Sequence, residues 1–252
     1  MGGMTDRAAT EYLRVDELLE LQHPRSDEHD EVLFIVIHQV YELWFKQILW
    51  ELDHAVDLLD SDDSVRAQHT ITRVLRILKV LVGQLDVLET MTPLEFLSFR
   101  DRLDSASGFQ STQFRELEVL LGVAEEDLVA RALDGAASPG RRRLAARCDL
   151  PTLWDVLVAH LPRVGHHAAA GDDAGLRSML VSVYRTDPVG AELCERFVDL
   201  DEGLQEWRYR HVKMVQRTIG TRTGTGGSEG AEYLVSTIRA AFPLLWEIRG
   251  EL

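Results

Sequence analysis

The chain has 252 residues, 45% hydrophobic and 27% charged, with a formal net charge of -15; that is room for one large domain or two small ones, and the acidity argues against a general nucleic-acid binder, which would present a basic face. Its two cysteines, Cys148 and Cys194, form neither a disulfide framework nor a Cys-x-x-Cys pair, which fits a reducing cytoplasm and weakens a zinc-finger reading. The opening MGGMTDRAATEY lacks the apolar core of a secretory signal and misses the myristoylation pattern at Asp6, and the apolar run Val32–Ile37 is far too short to cross a membrane.

In chain order, residues 1–9 read as a mobile start, and Tyr12 to Gln22 as a short amphipathic helix ended by His23-Pro24. Ser26 or Asp27 can cap a long helix from about Glu28 to Leu59, whose apolar residues Leu33, Phe34, Ile37, Tyr41, Trp44, Ile48, Leu52, Ala55 and Leu59 step by threes and fours. After the acidic turn at Asp60–Asp63, Ser64 can cap a second long helix to about Met91. Thr92-Pro93 opens a short helix carrying Phe96 and Phe99, with proline in its first turn. Ala106–Ser111 is a polar turn, and Gln113–Leu121 is helical again. Residues 122–150 carry little pattern, and Arg141–Arg143 reads as a solvated face. Pro151 starts a helix through Leu161, His166–Gly175 is a loop, and Leu176–Tyr184 is helical. Pro188 opens a long helix to about Ile219, and Glu232–Trp246 is a final helix. Strand-like alternation, repeats and a Pro/Gly/Ser-rich linker are all missing, so the expectation is one all-α domain over 1–252, a bundle elaborated by short helices.

Four features could carry chemistry. His211 stands in the basic helical run WRYRHVKMVQRTIG, where one imidazole is a candidate axial ligand for a haem iron; with nine histidines in the chain, an ordinary surface or core residue is the plain alternative. Gly224-Thr225-Gly226-Gly227-Ser228 is neither a dinucleotide fingerprint nor a phosphate loop, but glycines there let backbone and the Thr225 hydroxyl approach a ligand. His38 sits inside an apolar stretch on the face of Phe34, either as a satisfied core histidine or as a polar group placed in a pocket. Arg100 follows Phe96 by one turn, either as a surface cation or as a bidentate clamp on a carboxylate. A rival non-haem metal site would use His160, His166, His167 and Asp172, whose spacing is poor.

Taken together, several stretches resemble the tryptophan 2,3-dioxygenase family: Glu11-Tyr12-Leu13, His29-Asp30-Glu31 with Leu33-Phe34-Ile35, His38-Gln39 with Glu42–Lys46, Val87–Pro93, Phe99-Arg100, Ala106–Ser111 with Gln113-Phe114-Arg115, Trp207–His211 and Gly224–Ser228. In order and spacing they cover most of residues 11–234. The resemblance implies an all-helical fold, haem b and a homotetramer in which an N-terminal arm, about residues 1–27, reaches a neighbour's site. It places His211 at the proximal iron ligand, His38 at the distal histidine that meets the indole N–H, and Arg100 at the clamp on the substrate carboxylate. Thr225 falls near the substrate ammonium. Phe34, Phe96 and Leu103 fall on the pocket wall, Tyr12 and Leu13 on the wall supplied by the neighbour, and Ser107 and Gly108 beside the distal haem face.

The activity so implied joins both atoms of O₂ to indole C2 and C3 of L-tryptophan, giving N-formyl-L-kynurenine. One departure is Ala9, where many family members have tyrosine. It keeps alive a related haem mono-oxygenase acting on tryptophan or a substituted tryptophan. A non-catalytic haem sensor and a haem-free helical interaction protein are the readings outside enzymology.

Overall fold

The structure is a computed structural model that describes residues 12–103, 111–168, 172–220, 222 and 231–252. Its elements are α1 (Val15–Leu19), α2 (Asp30–Asp60), α3 (Ser64–Leu88), α4 (Pro93–Arg100), α5 (Thr112–Leu120), α6 (Glu126–Leu133), α7 (Pro139–Cys148), α8 (Leu153–Arg163), α9 (Asp173–Thr186), α10 (Pro188–Ile219), α11 (Ala231–Ser236), α12 (Pro243–Glu247) and a final 3-10 turn, Ile248–Glu251. No strand occurs among the described residues, so the expected all-α, single-domain fold is what is found.

Three long helices set the frame. α3 lies against both α2 and α10, and the shorter helices close the sides: α5 and α8 pack on α2, α9 on α10. α3 presents Ile71, Val74, Leu78, Leu81 and Leu85 to the core, at steps of three and four. Gly203 lets α10 come close, since a Cβ there would stand 3.1 Å from Leu78 Cδ1. Because α3 separates them, α2 and α10 meet mainly through long aromatic side chains: Tyr41 and Phe45 reach Trp207 with ring centroids 6.2 and 6.0 Å apart.

Local chemistry explains most boundaries. Thr92 and Glu95 form a reciprocal capping box ahead of Pro93, and Thr152 with Asp155 forms another at α8. Asp187 caps α10 with Pro188 at its first position, and Gly220, at φ 61°, ends it in a conformation that favours glycine.

Several sequence expectations need correction. α2 is capped by neither Ser26 nor Asp27; instead the buried Glu31 carboxylate accepts from the backbone of Arg25 and Ser26 and from the Ser26 hydroxyl. Asp63 caps α3, and Ser64 bonds His160 instead, 2.8 Å from its Nε2. Residues 122–150 hold two helices, α6 and α7, which bury only Leu128, Leu144 and Arg147 and so leave almost no periodic signal. Within them Arg141 donates to the carbonyls of Ala132 and Ala136, so the arginine run is partly structural. α1 is only five residues long and buries none of them. By length and composition α2 as a whole could cross a membrane, which the short run Val32–Ile37 did not suggest, but it packs on α3, α5 and α8 as a core helix.

The final helix is also broken. Asp201, on α10 and 1% exposed, accepts from the backbone N–H groups of Ala241 and Phe242 and from Trp246 Nε1. Those bonds hold the chain out of helical geometry before Pro243 restarts it as α12. Asp201→Ala would leave the buried Phe242 N–H and the half-buried Ala241 N–H without their acceptor, so it should lower unfolding free energy in urea by about 2–3 kcal/mol. Asp201→Asn, which keeps one acceptor oxygen, should lower it by less.

Candidate active site

A cavity of about 860 Å³, counting its mouth, opens where α3 keeps α2 and α10 apart. Ile37, His38, Tyr41 and Phe45 line it from α2, Leu85 and Leu88 from α3, and Trp207, His211 and Val212 from α10. Phe114, Arg115 and Glu118 of α5 close one side, and Tyr233, Leu234 and Thr237 another. The Tyr41 hydroxyl donates to the Leu81 carbonyl at 2.6 Å, which ties α2 to α3 beside the cavity.

Both histidines singled out in the sequence line this cavity. The His38 ring lies 4.0 Å from the Phe34 ring, and its Nδ1 is 2.7 Å from the Phe34 carbonyl oxygen. A carbonyl only accepts, so Nδ1 carries the proton in that bond. In the neutral ring Nε2 is then an acceptor. Burial pushes the His38 pKa down, against the carbonyl bond and the charge of Glu42. His211 is pushed down as well, to about 4, by burial and then by the charge of His38. It stacks flat on Trp207, with centroids 5.4 Å apart and planes 3° from parallel, and it makes no hydrogen bond among the described residues. At neutral pH both rings are therefore uncharged, the state in which an imidazole can bind a metal.

The expected substrate wall forms a second cluster beside the cavity. Met91, Phe96, Phe99 and Leu103 are buried together, with Leu33, Phe34, Leu88 and Ile219 packed on them. Phe34 joins the two sites: its ring is 5.9 Å from Phe96, 5.8 Å from Phe99 and next to His38. Arg100 is the last residue of α4 and is half-buried, which is not the position of a fully solvated cation. Phe34, Phe96, Leu103 and His38 are thus brought together, with Arg100 on the same short helix as Phe96. Tyr12 and Leu13 are 86% and 63% exposed, so they line no site of their own chain. Ala9, Ser107, Gly108 and Thr225 lie outside the described residues.

The rival metal site is not assembled. His160 is sealed in the core between Ser64 and the Leu59 carbonyl, and His166 pairs with Asp187 at 2.9 Å. Among the described residues no three His, Cys, Asp or Glu side chains converge to hold a metal. Sequence reasoning missed Arg115, Glu118 and Arg208, which line the cavity at 4–6% exposure. The signal was available: Arg115 and Glu118 sit on a nine-residue helix that also buries Phe114, Leu117 and Leu120.

The residues present fit a haem. An unbonded, neutral His211 supplies one axial nitrogen, apolar walls suit a flat macrocycle, and guanidinium groups stand at one end.

The family profile described as tryptophan 2,3-dioxygenase matches residues 2–133 and 154–252. The chain is 54% identical over 255 residues to the tryptophan 2,3-dioxygenase of Herpetosiphon aurantiacus, covering 96% of each chain. It is 53% identical to that of Anaeromyxobacter sp. (strain K), covering 96% of this chain and 94% of the relative. To that of Caulobacter vibrioides it is 42% identical, with 98% and 99% covered. With an all-helical fold around one such cavity, the chain is an oxidoreductase. It belongs to the tryptophan 2,3-dioxygenase family.

Phe34 is the hinge between wall and histidine. Phe34→Ala should lower stability by about 1–3 kcal/mol, and the His38 ring protons should lose their ring-current shift in NMR spectra.

Proposed function

We propose that the protein is a haem-dependent tryptophan 2,3-dioxygenase that joins both atoms of O₂ to L-tryptophan, giving N-formyl-L-kynurenine, the first step of tryptophan breakdown in the cytoplasm. The observation that carries this is the pair of uncharged imidazoles on one cavity, with His38 Nε2 left as an acceptor by the bond from Nδ1 to the Phe34 carbonyl. Membership of the family supports it. When bound, haem b supplies the oxygen-activating chemistry.

The chain's own residues do the rest. His211 would hold the iron. His38 Nε2 accepts from the indole N–H and so fixes the ring's rotation; an indole N–H is too weak an acid for an imidazole to deprotonate fully. Phe34, Phe96 and Leu103 hold the ring flat and exclude water. Arg100 grips the carboxylate and Thr225 the ammonium, while Ser107 and Gly108 border the distal haem face. Tyr12 and Leu13 complete the pocket of a neighbouring subunit.

Oligomerisation follows from what the chain leaves uncovered. Val32, Val36, Leu43 and Trp50 of α2 are 43%, 38%, 48% and 74% exposed. Their spacing places them within one narrow stripe along about 27 Å of helix. That stripe and the exposed arm would be buried in a homotetramer.

Three measurements test the reading. Reduced, haem-loaded protein incubated with L-tryptophan in air should give a product heavier by two oxygen atoms; a gain of one would indicate the mono-oxygenase. His211→Ala should lose haem or its histidine-ligated spectrum, whereas His38→Ala should keep the spectrum and lose about tenfold in rate, the worth of one hydrogen bond. In sedimentation, Leu43→Glu should shift the assembly to smaller species without loss of helical content.

A further inference from the structure

Gln39 follows His38 directly in sequence, and none of the roles above uses it. It does not line the cavity, although His38 does. Successive residues on a helix point about 100° apart, and the His38 ring is already held by the Phe34 carbonyl on its own helix. The Gln39 side chain turns instead to the N-terminal segment. Its Oε1 accepts from Gln22 Nε2 at 2.6 Å, and its Nε2 donates to the Leu21 carbonyl at 3.0 Å. Gln22 Nε2 also donates to the Leu18 carbonyl at 3.1 Å, so one amide joins the end of α1 to α2.

α1 depends on such a hold. None of its residues is buried, and Leu19 and Leu21 are exposed along with Tyr12 and Leu13. A five-residue helix is too short to be stable alone. The next hold along the chain is at Arg25 and Ser26, whose N–H groups donate to the Glu31 carboxylate at 2.8 Å; Arg25 also donates to the Arg102 carbonyl at 3.3 Å. Loss of the glutamine pair would therefore move the pivot of the arm back past His23-Pro24. An arm held nearer its docking residues points in fewer directions and loses less freedom when it docks.

We propose that Gln39, paired with Gln22, is a positioning residue for the substrate pocket of the neighbouring subunit, because it aims the arm that carries Tyr12 and Leu13 into that pocket. This rests on the assembly and the arm given above. Each chain thus places His38 in its own site and, through the next residue, sets part of the wall of another.

The test uses mixed oligomers purified through a different affinity tag on each chain, with the donor chain in excess. The acceptor chain keeps its pocket but carries Tyr12→Ala and Leu13→Ala. The donor chain keeps its arm but carries His211→Ala, so that only the acceptor turns over. The donor should bring the acceptor's KM for L-tryptophan back towards that of wild type. Gln39→Met or Gln22→Met added to the donor should undo this, leaving KM about three- to tenfold higher. The kcat per haem and the Soret band should stay nearly unchanged, as loss of uniform binding requires. Gln39→Met placed on the acceptor should have little effect, because that chain has no Tyr12 or Leu13 to deliver. Damaged packing around α2 would do the reverse and harm the chain that carries the substitution. Gln22→Met, on the arm itself, decides the question should Gln39→Met fail to fold.

A donor with either substitution that restores KM as fully as the unmodified donor would overturn the inference and leave the arm in place. So would a rise in KM that follows Gln39→Met into the acceptor, which would assign Gln39 to its own chain's site. If the unmodified donor fails to restore KM while sedimentation shows the mixed oligomer, the arm reading itself fails.

Discussion

The distance between α3 and α10 is the constraint on which the site depends. Gly203 against Leu78 sets it, because any side chain at 203 would meet the Leu78 methyl at 3.1 Å. With α10 seated that closely, Trp207 reaches Tyr41, Phe45 and Phe114, with ring centroids 5.1–6.2 Å apart. That aromatic floor closes the bundle below and leaves the space beside it open. A longer separation would unstack Trp207 from its neighbours. The flat Trp207–His211 contact would lose its backing. Placement of the histidine thus follows from backbone proximity eight residues earlier on the same helix.

The electrostatics of the molecule divide between surface and interior. The chain carries a formal net charge of -15, yet its cavity contains two neutral imidazoles and the buried guanidinium groups of Arg115 and Arg208. Long-range attraction from an acidic surface does not favour an anionic ligand. Recognition then falls to short-range groups inside the protein, where low dielectric strengthens each contact. Neutral histidines serve the same arrangement, because a protonated His211 would repel a metal and would itself be poorly solvated.

Much of this was legible in the sequence. Steps of three and four bounded α2, α3 and α10 to within a few residues, since each buries a long continuous stripe. The same spacing put Phe34 with His38 and Phe96 with Arg100. Periodicity failed where burial is sparse, as in α6 and α7, or where a distant side chain overrides a local preference, as Asp201 does at Ala241 and Phe242. Charge misled in a different way. The burial of Arg115 and Glu118 could be suspected from their apolar helix, but only the meeting of α5 with α10 shows that Glu118 pairs with Arg208 as well as with Arg115. Exposure of Tyr12 and Leu13 was equally invisible, because an amphipathic pattern calls for a covering surface without saying where it lies.

The clamp at Asp201 bears on the order of events during synthesis. Thr237 and Leu234 line the cavity, and the segment beyond them is held by a carboxylate on α10. That wall of the site is therefore made by residues that leave the ribosome after all three long helices. Helices α2, α3 and α10 can pair as they emerge, but the pocket stays open on that side until Tyr233, Leu234 and Thr237 follow. The nascent chain must then keep that apolar interior out of other contacts until those residues have joined the bundle.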